Sequence, residues 1–229
     1  MSEIIRVIIL DDHQSIVDGY LFRLGKSPQI EVVATLAFGA ELEPALKQLS
    51  ADVLLLDVEV PISSDDLNQY PILHVIPSLL QKYPNLSIVV ISMHAERSLI
   101  RAIMESGASG YILKDDRQSI QELHSIIQSI ANGGVYLSEK ARRAIIQDRE
   151  VAMENPLTDR QLQVLSLCLA YPDASTADLA QKMQVSNSTV RNLLSGAYLR
   201  LGVHNRTAAI ARVRQLGIAP HSTNTPFAG

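Results

Sequence analysis

Along residues 4–132, short apolar runs alternate with segments whose apolar positions recur at helical spacing. Val7-Ile8-Ile9-Leu10 is apolar without interruption, as expected of a strand covered on both faces of a parallel sheet. Ile16, Val17, Tyr20, Leu21 and Leu24 then share one helical face. Residues 31–34 read as a second strand. Leu42, Ala45, Leu46 and Leu49 mark a second helix, which tolerates Pro44 only in its first turn. A third strand spans 53–56 and a fourth 87–91. Between them Leu73, Ile76, Leu79 and Leu80 predict a helix preceded by a long polar loop. A helix from about Glu96 to Gly107 leads to a fifth strand at 110–113. The stripe Ile120, Leu123, Ile126, Ile127 and Ile130 forms a last helix that closes at Asn132-Gly133-Gly134. Five strands, each followed by a helix, imply right-handed crossovers and a doubly wound α/β domain with a five-stranded parallel sheet over residues 1–134.

The pattern changes after that. Residues 135–155 are charged and partly helical in character and read as a linker, with Pro156 as a boundary. Residues 156–218 are all helical in pattern, with segments at 162–169, 177–183, 189–201 and 206–216, and 219–229 reads as a mobile tail. Thr158 with Gln161, and Ser175 with Asp178, have capping-box spacing. Ser186 is placed to cap the following helix. There Val190, Leu194, Ala197 and Leu201 form an inward stripe, leaving Arg191, Asn192 and Ser195 on the outer face. Helix, tight turn, helix with a polar outer face is the helix-turn-helix arrangement, whose second helix enters the major groove.

Composition sharpens this division. The 229 residues carry a net charge of −4. Residues 1–155 hold 13 Lys+Arg against 21 Asp+Glu, which is −8, and residues 156–229 hold 7 against 3, which is +4. An acidic module joined to a basic one makes the second a candidate for a polyanionic partner. With 47% hydrophobic residues the chain can bury real cores, which excludes a disordered chain. Its apolar runs fall short of the roughly 18–20 residues that span a bilayer. The start of the chain lacks the basic flank and cleavage site of a signal peptide. A single cysteine, Cys168, fits a reducing cytoplasm and a packing role. The expectation is a soluble cytoplasmic protein without a membrane partner.

Chemistry is expected beyond the carboxyl ends of the strands. Asp11 and Asp12 end the first strand, Asp57 the third, Ser92 follows the fourth and Lys114 the fifth. A lone strand-end aspartate is commonly a helix cap or a solvated rim residue. Five such groups in order, on four strands, point to a site. Three clustered carboxylates raise one another's proton affinity unless a cation neutralises them, and Mg²⁺ with oxygen ligands suits them. A hydroxyl and an ammonium at the rim match a doubly charged tetrahedral group, so the chemistry that fits is phosphoryl transfer to an aspartate.

Residues 4–132 resemble the receiver domain of two-component response regulators, a flavodoxin-like fold. The resemblance is carried by Leu10-Asp11-Asp12-His13, Leu56-Asp57-Val58-Glu59-Val60-Pro61, Ile91-Ser92-Met93-His94 and Gly110-Tyr111-Ile112-Leu113-Lys114. It implies that Asp57 is the phosphoacceptor and that Asp11, Asp12 and Asp57 hold Mg²⁺, Asp11 through water, with Glu59 adding its backbone carbonyl. Ser92 and Lys114 would contact the phosphoryl oxygens, and Tyr111 would be the aromatic switch. The chain departs from the family after Pro61: the loop 62–71 is several residues longer, lacks the usual glycine and brings Asp65 and Asp66 near the site.

In the basic module Arg191 and Asn192 suit guanine and adenine edges, each worth about 1–3 kcal/mol of discrimination. Asn187, Ser188 and Thr189 at the helix start suit phosphates. Arg200, Arg206, Arg212 and Arg214 supply nonspecific charge. A small helical domain that binds protein has the same features. Residues 157–217 resemble the LuxR-type DNA-binding domain through Leu157-Thr158-x-Arg160-Gln161-x-Gln163-Val164-Leu165, Asp178-Leu179-Ala180, Thr189-Val190-Arg191-Asn192 and Arg200-Leu201-Gly202-Val203-x-x-Arg206. The resemblance places Arg191, Asn192 and Ser195 at groove-facing positions. Gln161 and Gln163 stand where glutamates are usual, and Leu193 where histidine is common.

Together the two resemblances imply a DNA-binding response regulator rather than an enzyme. Its expected partners are a sensor histidine kinase, double-stranded DNA and RNA polymerase. A homodimer is the expected active form, and phosphorylation is expected to control dimerisation or domain release. The alternative is a transcription regulator driven by a partner protein without phosphorylation.

Overall fold

The computed structural model describes residues 4–146, 157–203 and 205–217. The elements run β1 (Ile5–Leu10), α1 (Gln14–Leu24), β2 (Ile30–Leu36), α2 (Leu42–Gln48), β3 (Val53–Asp57), α3 (Ile72–Lys82), β4 (Ser87–Ser92), α4 (Arg97–Glu105), β5 (Gly110–Leu113), α5 (Arg117–Gln121), α6 (Leu123–Ala131), β6 (Tyr136–Leu137) and α7 (Glu139–Ile146). The second half continues with α8 (Asp159–Ala170), α9 (Thr176–Met183), α10 (Asn187–Leu201) and α11 (Arg206–Gln215).

The strands form one parallel sheet in the order β2-β1-β3-β4-β5-β6. Their continuous apolar runs follow from burial on both faces. Ile8, Leu10, Leu54, Leu56, Ile88 and Val90 join one hydrophobic cluster. Val7, Ile9, Val53, Leu55, Val89 and Ile91 join the other. Because the order turns back at β1, β1 and β3 lie side by side with connections leaving in opposite directions. Asp11 and Asp57, at the carboxyl ends of these strands, flank the crevice this creates.

The sequence predicts five strands; the sheet has six. β6 is two residues long and pairs with β5, Tyr136 N donating to Ser109 O at 2.9 Å and Ser138 N to Tyr111 O at 3.0 Å. A two-residue strand leaves no alternation to read. The segment expected to be a linker from 135 therefore opens inside the sheet and continues as α7. Residues 147–156 and the expected tail 219–229 lie outside the described residues. The single helix expected over 120–130 is two, broken at Glu122 (φ −97°, ψ 15°). Pro44 does fall in the first turn of α2. In α3 it is Ile72, not Leu73, that turns inward.

Both capping boxes form: Thr158 and Gln161 at α8, Ser175 and Asp178 at α9. Ser186 Oγ accepts from Thr189 N at 3.1 Å to start α10, after Gln184 reverses the chain in the left-handed region (φ 54°). Val190, Leu194, Ala197 and Leu201 point inward as predicted, and they pack with Leu162, Leu165, Cys168 and Leu179. That cluster does not end at the second domain: it runs without interruption into residues of the first, including Leu80, Leu86, Ile103 and Ala108.

Candidate functional site

Lys114 holds the acidic site together. Its Nζ donates to Asp11 Oδ2 and to Asp57 Oδ2, each at 2.9 Å, although the residues are separated by 103 and 57 positions in the chain. Asp11 Oδ1 also accepts the His13 amide at 2.9 Å, and Asp57 Oδ1 accepts that of Val58 at 2.7 Å. The carboxylates are therefore fixed by backbone donors on one oxygen and by the lysine on the other. Both aspartates are buried, and the lysine side chain is 9% exposed.

Charge is not balanced there. Burial, reinforced by the nearby Asp11 charge, raises the Asp57 carboxyl above the usual carboxylate range despite Lys114. Burial works to lower Lys114, but its bonds to Asp11 and Asp57 outweigh that and keep the ammonium raised. Asp12 contributes a third carboxylate, and His13 Nδ1 lies 2.9 Å from Asp12 Oδ1. Asp11, Asp12, His13 and Asp57 each offer a ligand atom, all within 4.8 Å of one another. One ammonium against three carboxylates leaves room for a hard divalent cation, and an oxygen-rich donor set suits Mg²⁺. The buried Tyr20 hydroxyl has no hydrogen-bond partner, and burial, reinforced by the charges of Asp11 and Asp57, raises its phenol.

Ser92 and Tyr111 stand on the next two strands. Ser92 Oγ accepts the His94 amide at 3.0 Å, and the Tyr111 hydroxyl donates to the His94 carbonyl at 2.7 Å. Tyr111 is fully buried, which pushes its phenol up to about 12, with a Ser92 hydrogen bond acting in the other direction. Sequence reasoning missed the role of the Glu59 side chain: Oε1 pairs with His94 Nε2 at 3.0 Å, joining the loop after β3 to the loop after β4. The long loop folds on itself. Ile62 N donates to Asn68 O at 2.9 Å, and Asp66 Oδ1 accepts from Asn68 N and Nδ2. Neither Asp65 nor Asp66 joins the metal-competent group among the described residues. Leu67 at the loop tip is 79% exposed.

The face of α10 expected to be outer requires correction. It faces away from the core of its own domain, but the first domain covers it. Arg191 is 6% exposed and Ser195 is fully buried. Arg191 Nη1 donates to the backbone carbonyl of Leu86, and Ser195 Oγ to that of Ala108 at 3.2 Å. Asn192 Oδ1 is buried against Gly107 (φ +109°), where an added Cβ would lie 2.3 Å from it. Desolvation pulls the Arg191 guanidinium down to about 10. A periodic sequence shows which residues avoid a domain's own core, not what a second domain lays over them.

Arg206 also differs from its expected role. Its Nη1 donates to Pro172 O at 3.1 Å and to Ala174 O at 2.7 Å, pinning the turn between α8 and α9. Asn187 and Thr189 lie in the first turn of α10, which also contains position 188. Thr189 is exposed; Arg200 at the other end is exposed too. Ser138 was not anticipated: its buried hydroxyl accepts the Leu113 amide at 3.1 Å, tying α7 to the residue before Lys114.

Residues 7–128 match the response regulator receiver domain, and residues 155–213 match the bacterial regulatory proteins of the luxR family. The chain is 27% identical over 227 residues to the transcriptional regulatory protein DegU of Brevibacillus brevis, covering 90% of this chain and 91% of that one. It is 29% identical over 208 residues to the transcriptional regulatory protein MctR of Rhizobium johnstonii, covering 91% and 92%. Among solved structures it resembles RcsB from Salmonella enterica serovar Typhimurium, bound to a promoter in the presence of the phosphomimetic BeF₃⁻. There the TM-score is 0.54 and the identity 23%, with 93% of this chain and 98% of that one covered. No described helix is long and apolar enough to cross a membrane.

Proposed function

Since the chain belongs to the response regulators, with a receiver domain followed by a LuxR-type helix-turn-helix domain, we propose that phosphorylation of Asp57 by a sensor histidine kinase controls its binding to DNA. The protein is a DNA-binding transcription regulator, and phosphoryl transfer at Asp57 serves as its switch rather than as turnover of an external substrate. The observation that carries this reading is the bridge of Lys114 to both Asp11 and Asp57 at 2.9 Å.

Asp11, Asp12 and Asp57, with the Glu59 carbonyl, are the groups that would hold Mg²⁺. When bound, the ion offsets negative charge on the phosphoryl oxygens. Asp57 is the nucleophile: one carboxylate oxygen attacks the phosphorus and the donor's leaving group departs, so Asp57 must be ionised. Burial opposes this, and Lys114 favours it. Lys114 then follows the new charge, and the Ser92 hydroxyl turns to donate to a phosphoryl oxygen. The Ser92 hydroxyl also holds the His94 amide, and the Tyr111 hydroxyl holds the His94 carbonyl. Movement of Ser92 therefore reaches Tyr111 on β5 through the His94 backbone.

The receiver covers the groove-facing residues Arg191, Asn192 and Ser195, so the closed arrangement is the resting one. Phosphorylation biases β5 and α4 towards release of α10. The freed basic domain, with Asn187, Ser188 and Thr189 at its helix start and Arg200 further along, then engages double-stranded DNA as a homodimer. RcsB bound to a promoter, and RcsB dimers bound to DNA, support that part of the reading. RNA polymerase is the further partner, and the cytoplasm the site of action.

Acetyl phosphate with Mg²⁺ tests the acceptor. Phosphate-affinity gels should show a shifted band for wild type and none for Asp57→Ala; a band that persists in the variant rejects Asp57. The exposed Leu67 on its acidic loop favours one second reading, control by a partner protein alone. Equal DNA affinity of wild type and Asp57→Asn, with and without phosphodonor, would support it.

A further inference from the structure

Between the receiver and the output domain lies a cleft of about 600 Å³, within the size range of small-molecule sites. The receiver contributes the amino-terminal edge of its sheet, through Gln29, Asp52 and Asn85, and the end of α6, through Gln128 and Asn132. The output domain contributes the starts of two helices, Thr176 and Ala177 of α9 and Asn187 of α10, together with Arg191. The two walls differ in chemistry.

The output wall is built to receive an anion. The first amides of a helix have no partner within it, and the dipole leaves partial positive charge there. Ser175 and Ser186 each cap one amide, those of Asp178 and Thr189. The first residues of both helices line the same space. A helix start alone is a common feature. Here Arg191 adds a second observation: it is 94% buried, its Nη1 is committed to Leu86 O, and its Nε is buried without a partner. Asn187 Oδ1 is likewise buried and unpartnered. Leaving such groups unmet costs about 1–3 kcal/mol each: a phosphate oxygen would accept from Arg191 Nε, whereas Asn187 Oδ1, an acceptor, calls for a donor such as a hydroxyl of the ligand's body.

The receiver wall offers hydrogen-bond acceptors and amides instead. Asp52 uses Oδ2 to accept the Arg6 amide at 2.7 Å, and its other oxygen remains for a donor. Gln128 is held by Ser27 and Gln29 at 3.0 and 2.9 Å, which fixes its orientation. A carboxylate with neighbouring amides suits hydroxyl or amino groups and disfavours a second anion.

We propose that this cleft binds a small phosphate monoester, its phosphate against the starts of α9 and α10 and Arg191, and its hydroxyl-bearing or amino-bearing body against Asp52 and Asn132. The ligand bridges the domains and holds the closed arrangement. It occupies amides and an arginine that DNA phosphates and bases would otherwise use, so ligand and DNA weaken each other by the same factor. The inference rests on the closed arrangement and not on phosphoryl transfer; Asp57→Asn should leave it unchanged, whereas the gel experiment above reads the acceptor alone.

Calorimetric titration of the unphosphorylated full chain tests it, with AMP and glucose 6-phosphate as probes and adenosine and glucose as phosphate-free controls. Saturable binding of a phosphorylated probe, at least tenfold tighter than its control, is expected. The tighter of the two identifies the body as nucleoside or sugar. Asn132→Trp fills the receiver wall without touching the output helices and should weaken binding at least tenfold. Arg191→Lys keeps the charge but cannot serve Leu86 and the phosphate together, and should do the same even if the tryptophan variant does not fold. Saturating probe should reduce DNA affinity in a gel-shift titration. Absence of saturable heat at millimolar probe overturns the proposal. So does Asn132→Trp, folded as wild type, binding with unchanged affinity, because the phosphate would then be sitting on an exposed output domain.

Discussion

Ser195 Oγ donates to the main-chain carbonyl of Ala108 at 3.2 Å, joining a helix-turn-helix to the connection between α4 and β5 of another domain. Both residues are fully buried, so the contact has no room for a larger neighbour. Ala108→Leu adds three carbon atoms at a filled position, and overpacking of this kind costs about 1–3 kcal/mol. The cost falls on the closed arrangement. DNA affinity of the unphosphorylated protein should rise roughly tenfold, equivalent to about 1.4 kcal/mol. Gel-shift titration measures it, with unchanged phosphorylation of Asp57 as the sign that the receiver is intact. Unaltered affinity would mean that this contact does not restrain α10.

Lys114→Met should destabilise the receiver strongly. Removing the ammonium leaves Asp11 and Asp57 buried and facing each other, and breaking a buried ion pair from one side costs about 3–5 kcal/mol. Urea unfolding without divalent ions should show the full loss, and added Mg²⁺ should restore part of it. Equal stability of variant and wild type would contradict the buried triad.

Tyr20→Phe should act in the opposite direction. The tyrosine hydroxyl is buried without a partner, and removing an unmet buried donor relieves about 1–3 kcal/mol. The variant should melt higher than wild type in the absence of Mg²⁺. A lower melting temperature would show that the hydroxyl is satisfied in solution.

Arg206→Lys separates two roles. The guanidinium donates to Pro172 O and Ala174 O, a geometry that an ammonium cannot copy with the same reach. Stability of the output domain should fall by about 1–2 kcal/mol, since bonds from a charged donor are worth roughly 1.5–3 kcal/mol. Chemical denaturation monitored by circular dichroism gives the value. A loss of DNA affinity at unchanged stability would return Arg206 to the DNA contacts.

The knot at the start of α7 gives a pH dependence. Glu139 accepts from Arg142 at 2.8 and 2.7 Å and from Arg143 at 2.9 Å, and these bonds hold its carboxyl at about 2, against 4.5 ordinarily. A depressed acid stabilises the fold above its unfolded value, and that stability disappears as the pH falls from about 4.5 through about 2. The side chain is 43% exposed, so solvent screening limits the effect to about 0.5 kcal/mol. Glu139→Gln should be less stable than wild type at pH 6 and equal to it near pH 2. A difference that persists at low pH would place its origin elsewhere.

The acid site was legible because its parts are strand ends. Apolar runs mark the strands, the fold brings their carboxyl ends together, and Asp11, Asp57 and Lys114 meet from distant positions as a result. The inward stripe Val190, Leu194, Ala197 and Leu201 was legible for a similar reason, since periodicity reports a helix's nearest core. Neither signal extends to β6, whose two residues carry no alternation. Nor does it extend to the burial of Arg191 and Ser195, because polar side chains that bond to carbonyls of another domain have the composition of a solvent-facing surface. Arg206 shows the same limit: its charge suggests phosphate, but its partners are two carbonyls in a turn.

The side chains on α10 that are suited to reading an operator also close the molecule on itself. On the proposed reading, a substitution at Arg191 or Ser195 that changes base preference also changes how firmly the unphosphorylated protein stays closed.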